Sequence, residues 1–204
     1  MNIHNINLIQ KPNIGVSLSG GADSAILAYM LMKYSQSQIH FFTTASFNKH
    51  IITVKHSSSI IKKCIELTEN FNVKHHIDYV TSQDRTEFFN GLISKVDSKI
   101  VDIIYTGTTN TPADLTNFKN KLNHDIVQRR NPKVTKPLYS HDNKMYHPFI
   151  NLDKKDIKKL YDELNVLSEI FPLTRSCEST IEFENHCGHC WWCEERLWAF
   201  GRLI

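Results

Sequence analysis

The apolar and small residues of Ile14-Gly-Val-Ser-Leu18 run straight into Ser19-Gly20-Gly21, and Ala25, Ile26, Ala28, Tyr29, Leu31 and Met32 then repeat at helical spacing. A strand that feeds a glycine turn opening a helix commits the chain to a β-turn-α unit, whose helix must pack back on the strand it left. The same alternation recurs downstream. Ile39–Ala45 reads as a strand, Ser57–Phe71 as a helix that buries Ile60, Ile61, Cys64, Ile65 and Leu67, and Val73–Val80 as a strand. Phe88, Phe89, Leu92, Ile93 and Val96 mark another helix, and Val101–Thr106 a buried strand that ends at Gly107. Repeated β-α-β units imply an α/β fold with a parallel sheet covered by helices on both faces.

Between Thr108 and His147 the pattern weakens. Leu115, Phe118, Leu122 and Ile126 suggest one helix, and Pro132, Pro137 and Pro148 mark a loop-rich stretch. Asp153–Leu164 is amphipathic, with Ile157, Leu160, Tyr161 and Leu164 on one face; Lys154, Lys155, Lys158 and Lys159 are assigned to the solvated face. Glu194–Leu203 is expected to close the chain as a helix. The reading is one compact unit: residues 1–150 as the α/β core and residues 151–204 as a small helical, metal-binding C-terminal region.

Lys and Arg number 24 against 21 Asp and Glu, a net charge of +3, well short of the basic excess of a protein that grips a phosphate backbone. The charge therefore gives nucleic acid no support as a partner. No window approaches the apolar length of a membrane span, and Met1–Pro12 lacks a signal-peptide core, so the expectation is a soluble, unprocessed, cytoplasmic protein. Of the 5 cysteines, Cys177, Cys187, Cys190 and Cys193 crowd the C-terminus and Cys64 stands apart on the apolar face of a helix. That grouping is unlike a disulfide framework and fits a metal site in a reducing compartment.

Ser19-Gly20-Gly21-Ala22-Asp23-Ser24 has the context of an anion site. Glycine lets backbone N–H groups approach an oxyanion, and the helix N-terminus adds a partial positive charge. Phosphate or pyrophosphate is the natural guest. The spacing excludes a Walker A loop and the Gly-x-Gly-x-x-Gly dinucleotide turn; a plain strand-to-helix turn capped by Asp23 or Ser24 stays open. The hexapeptide resembles the pyrophosphate loop of the ATP pyrophosphatases, the superfamily of NAD synthetase, asparagine synthetase and tRNA-thiolating enzymes. The resemblance implies an adenine nucleotide α-hydrolase-like fold and adenylation of a substrate oxygen with release of pyrophosphate. Ser19, Gly20, Gly21 and Ser24 would then hold pyrophosphate oxygens, and Asp23 would position the loop or assist Mg²⁺ bound with ATP. Asp23 and Ser24 are the residues assigned to catalysis.

Cys177-x9-Cys187-x2-Cys190-x2-Cys193 supplies four thiolates, enough to close a tetrahedral structural Zn²⁺ site. An iron–sulfur cluster, or His186 or His189 in place of one cysteine, are the competing arrangements. Together with the glycine loop, Ser176-Cys177 and Cys187-Gly-His-Cys190-x-x-Cys193 resemble the 7-cyano-7-deazaguanine synthase family. Tyr105-Thr-Gly-Thr-Thr-Asn110 and His147-Pro-Phe-Ile-Asn-Leu-Asp-Lys-Lys-Asp-Ile157 are similar to the strand and glycine-containing turn that precede that family's substrate loop and to its Pro-then-Lys-x-x-Ile helix start.

This resemblance implies ATP, ammonia and a small deazapurine as partners: 7-carboxy-7-deazaguanine is adenylated, converted to an amide, adenylated again and dehydrated to the nitrile. A homodimer is a further expected partner state. Thr108–Phe118 departs from the family's substrate loop, yet it is the polar–aromatic segment that follows a strand end beside the glycine turn, so Asn110, Asp114 and Phe118 are the candidate substrate residues. Phe118 in the core of a solvent loop is the plainer alternative. Two other functions are carried: a tRNA-thiolating enzyme of the same superfamily, and a nucleotide-binding module without turnover.

Overall fold

The computed structural model describes residues 6–46, 52–80, 85–113, 118, 136–177 and 185–204. Six strands form one sheet: β1 (Asn13–Ser17), β2 (Gln38–Ser46), β3 (Val73–Val80), β4 (Ile103–Thr106), β5 (Leu138–Ser140) and β6 (Met145–His147). Their order is β3-β2-β1-β4-β6-β5. All neighbours are parallel except β5 and β6, a hairpin at the edge that pairs Tyr139 with Tyr146. The expected parallel α/β sheet is therefore present, with an antiparallel edge inside the stretch read as loop-rich. Strands of three residues are too short to show a period of two.

The helices are α1 (Ala22–Tyr34), α2 (Ile52–Thr68), α3 (Arg85–Asp97), α4 (Lys154–Glu163), the single turn α5 (Leu167–Ile170) with a 3-10 turn at Phe171–Leu173, and α6 (Trp191–Phe200). α1 packs against β1, α2 and α4, and is buried continuously from Ser24 to Met32. Alternation along the strands divides the apolar residues between two cores. Val16, Phe41, Ile103 and Tyr105 face α1, while Phe42, Ile104 and Met145 meet Leu92 of α3 on the other side. Helices thus cover both faces. Two helices are displaced from expectation: α2 occupies Ile52–Thr68 rather than Ser57–Phe71, and α6 occupies Trp191–Phe200 rather than Glu194–Leu203.

Strand order reverses at β1, whose neighbours are β2 and β4, with Ser17 of β1 opposite Thr106 of β4. In open α/β sheets the crevice beyond the carboxyl ends of such strands is where ligands bind. Here it lies between the Ser19–Gly21 turn and the segment from Gly107 to Thr111. Among the described residues no helix is long and apolar enough to cross a membrane.

Candidate nucleotide loop and cysteine centre

Gly20 has φ +77°, a left-handed conformation that strains any residue with a side chain, and a β-carbon there would come within 2.9 Å of His56 Cβ. Gly21 is the N-cap of α1, and among the described residues no side chain caps that turn. Asp23 and Ser24 are therefore not caps: the Ser24 hydroxyl donates to the Gly21 carbonyl at 3.1 Å and lies 3.2 Å from Ser19 Oγ. The two serines brace the turn from inside, Ser19 Oγ also accepting from the Gly21 amide at 3.4 Å, and a helix end without a side-chain cap is the arrangement that favours an anion.

Gly107 explains how the two loops meet. A β-carbon on it would lie 2.7 Å from the Ser24 nitrogen and 2.9 Å from the Asp23 carbonyl carbon, so the end of β4 rests directly on the first turn of α1. The next residues complete the contact. Thr109 Oγ1 donates to Asp23 Oδ2 at 3.5 Å, and the Asn110 amide donates to the Leu152 carbonyl at 2.7 Å. Asn110 is itself buried, with Oδ1 accepting from the Thr111 amide at 2.9 Å. Asp114 lies outside the described residues. Phe118 is buried against Trp191 and Trp198, with ring centroids at 4.5 and 5.7 Å.

The principal residue that periodicity misassigned is Lys154. Rather than sharing the solvated face with Lys155 and Lys159, it is 5% exposed. Its ammonium is paired with Asp23 Oδ2 and lies 3.8 Å from Oε2 of Glu195, a residue with no exposed surface. The reason is local. Asp153 caps α4 by accepting from the Lys155 and Asp156 amides, while the Asp156 side chain accepts from the Asp153 amide. This capping box places Lys154 at the first helical position, where it reaches inward to the loop instead of outward with its neighbours. A buried ammonium needs a carboxylate, and the loop's Asp23 supplies one.

His56 was also missed. Its Nδ1 donates to the Leu173 carbonyl at 2.7 Å, its Nε2 is buried with no hydrogen-bond partner among the described residues, and burial lowers its pKa below the ordinary histidine value. It joins α2 to the 171–177 segment just behind Gly20. That segment is tied to the glycine turn as well: the Arg175 amide donates to the Gly20 carbonyl at 2.9 Å.

Cys177, Cys187, Cys190 and Cys193 converge, every sulfur within 4.8 Å of the others. Two of the distances are 3.9 Å, Cys187 to Cys193, and 4.0 Å, Cys190 to Cys177. A tetrahedral zinc with Zn–S bonds of about 2.3 Å requires sulfurs about 3.8 Å apart, so the four residues fit that ion. Four thiolates suit an iron–sulfur cluster as well as zinc. The hydrogen bond with Cys190, together with burial, raises the Cys193 thiol above its ordinary pKa, the resistance to ionisation that a bound cation would remove. Cys64 is fully buried elsewhere, and desolvation pushes its thiol up to about 12.

Two family models match the chain. That of asparagine synthase covers residues 5–113, the glycine loop and the strands around it, and that of queuosine biosynthesis protein QueC covers residues 97–203, from the end of α3 through the cysteines. No curated protein sequence matches the chain. Among solved structures, the U34-tRNA thiolase NcsA from Methanococcus maripaludis, determined with its [4Fe-4S] cluster, is 15% identical with a TM-score of 0.48. The alignment covers 79% of this chain and 60% of the thiolase. NMN synthetase from Francisella tularensis is 16% identical with a TM-score of 0.42, over 95% of this chain and 79% of the synthetase.

Proposed function

Because the chain belongs to the QueC family of the PP-loop ATP pyrophosphatases, we propose that it is an ATP-dependent C–N ligase that converts 7-carboxy-7-deazaguanine and ammonia to 7-cyano-7-deazaguanine. A carboxylate oxygen of the substrate attacks the ATP α-phosphorus and pyrophosphate departs. Ammonia then displaces AMP from the acyl adenylate to give the amide. The amide oxygen attacks the α-phosphorus of a second ATP, releasing pyrophosphate and, from the amide nitrogen, a proton; loss of AMP and the second proton then leaves the nitrile.

The observation that carries this reading is the uncapped glycine turn at the strand-order reversal, with Asp23 and a buried lysine beside it. Negative charge grows on the pyrophosphate as it leaves, and the fixed N-terminal end of α1 would stabilise it with little reorganisation. In this assignment the amides of Gly20 and Gly21 and the hydroxyls of Ser19 and Ser24 hold pyrophosphate. Asp23 orients the loop and helps to hold Mg²⁺, which supplies charge neutralisation at the phosphates. Asn110, Asp114 and Phe118 remain the proposed substrate contacts. For Phe118, burial against two tryptophans favours shaping that wall over stacking on a base. Zinc held by the four cysteines would be structural, since four protein thiolates leave no open position for chemistry. tRNA thiolation is the less favoured reading: with four cysteines in one cluster, Cys64 is the remaining thiol, and its raised pKa makes it a poor nucleophile.

The test is incubation with ATP, Mg²⁺, ammonium and 7-carboxy-7-deazaguanine, followed by mass spectrometry. Nitrile with AMP and pyrophosphate is expected, and Asp23→Ala should abolish it in a folded protein. ADP and phosphate as products would mean cleavage at the wrong bond and would remove the assignment; ATP cleavage stimulated by tRNA in place of the deazapurine would favour thiolation.

A further inference from the structure

Two routes lead from the glycine turn to the cysteines. Through the backbone, Gly20 O accepts from the Arg175 amide at 2.9 Å, and Arg175 Nη1 donates to the Cys177 carbonyl at 2.7 Å. Through side chains, Asp23 is paired with Lys154, whose ammonium lies 3.8 Å from Glu195. Glu195 stands two residues after Cys193 on the first turns of α6. The next residue, Arg196, is fully buried and clamps α6 to the 171–177 segment. Its Nη2 donates to the Phe171 and Thr174 carbonyls at 3.1 and 3.2 Å, and its Nη1 donates to Ser176 Oγ at 3.1 Å. Loop and cysteine centre therefore share a hydrogen-bonded wall.

We propose that Glu195 is a positioning residue that couples the cysteine centre to the nucleotide loop: it holds Lys154 beside Asp23, so that zinc at the cysteines tightens ATP binding and ATP tightens zinc. This rests on the reading of Ser19–Ser24 as the nucleotide loop. Lys154 has a long, flexible stem, and a single carboxylate would keep its buried ammonium wherever that carboxylate went. Asp23 cannot serve as that fixed post if it must turn toward Mg²⁺ when ATP arrives. Glu195 can, because its backbone sits on the helix turn that Cys190 and Cys193 anchor. With the cysteines filled, α6 is held and Lys154 keeps a second carboxylate besides Asp23; with them empty, the turn loosens, Glu195 moves away and Asp23 alone is left to neutralise Lys154. Coupling of this kind is reciprocal by thermodynamic necessity, and a factor of about ten is ordinary for it.

The probe is the non-hydrolysable α,β-methylene analogue of ATP with Mg²⁺, its affinity read by calorimetry on the zinc-loaded chain. Glu195→Gln, which keeps the side-chain volume, is expected to retain its zinc and to bind the analogue about tenfold more weakly. In the wild-type protein a saturating analogue should raise the chelator concentration needed to extract half the zinc by the same factor, and in Glu195→Gln it should not. A structural Glu195 would instead lower the melting temperature and leave analogue affinity unchanged, which overturns the proposal. An analogue that binds the wild-type protein without altering zinc extraction overturns it too, and this arm decides the matter if the variant fails to fold. An analogue that does not bind the wild-type protein at all removes the nucleotide-loop reading itself, a failure separable from the other two.

Discussion

Gly107 is decided by distance and not by backbone freedom. The atoms that an added β-carbon would strike are backbone atoms of α1, 2.7 Å and 2.9 Å away, and no rotamer change relieves such a contact. Gly107→Ala is accordingly expected to push β4 and the glycine turn apart, at a cost of about 1–3 kcal/mol in overall stability. The turn's amides would move with it, so AMP release should fall at least tenfold. Urea denaturation and a coupled AMP assay check the two effects, and a wild-type rate in the variant would show that the contact can relax. In the sequence Gly107 is legible only as the stop of a buried strand. Lys154 is less legible still, because helical period groups it with Lys155, Lys158 and Lys159. Period reports which way a residue faces on its own helix, whereas the burial of Lys154 depends on Asp23, 131 residues away.

At the level of elements, α4 reads plainly because its signals are local. Apolar residues repeat at helical spacing, and Asp153 with Asp156 forms the capping box. α6 reads three residues out of place. Its N-cap is Cys190, its first turn is Trp191-Trp192-Cys193, and it stops at Gly201 in the left-handed conformation, whose amide donates to Leu197 O. The first turn of α6 thus lies inside the cysteine site, and a helix of ten residues is too short to stand without tertiary support. Metal and helix should therefore be lost together. Purified protein is expected to hold about one zinc per chain without visible colour, and Cys190→Ser or chelation should cost the cooperative unfolding transition of the C-terminal region. Metal analysis and far-ultraviolet circular dichroism during chelator titration test this; a brown protein containing iron would replace zinc with a cluster.

Across the whole molecule, the β5–β6 edge is fastened to the sheet by a buried histidine. His147 Nδ1 lies 2.5 Å from Thr106 Oγ1 and its Nε2 lies 2.7 Å from Ser140 Oγ. Burial, with His141 nearby as a smaller cause, pushes its pKa down to about 4. A histidine whose folded pKa lies below its unfolded value favours the fold while neutral: the contribution is complete above about pH 6.5 and is lost as pH falls through 4. The shift corresponds to about 3 kcal/mol. Urea midpoints of the wild-type protein should fall between pH 7 and pH 4.5, and His147→Asn should lessen that slope without abolishing it, since burial also pushes His186 down to about 4; a parallel slope in the variant would assign the acid sensitivity to other groups. The sequence by itself determined the succession of strands and helices, the glycine turn between β1 and α1, and the four cysteines as one group. Each of these is written in neighbouring residues or in short spacings that local sterics and hydrophobic period impose. Only the tertiary structure decided that β4 would rest on the turn, that Lys154 would leave its polar face for Asp23 and Glu195, and that a short hairpin would finish the sheet. Those outcomes depend on charge burial and backbone contact between segments far apart in the chain, where the cost of an unpaired ammonium or an intruding methyl group is set by the partner and not by its neighbours in sequence.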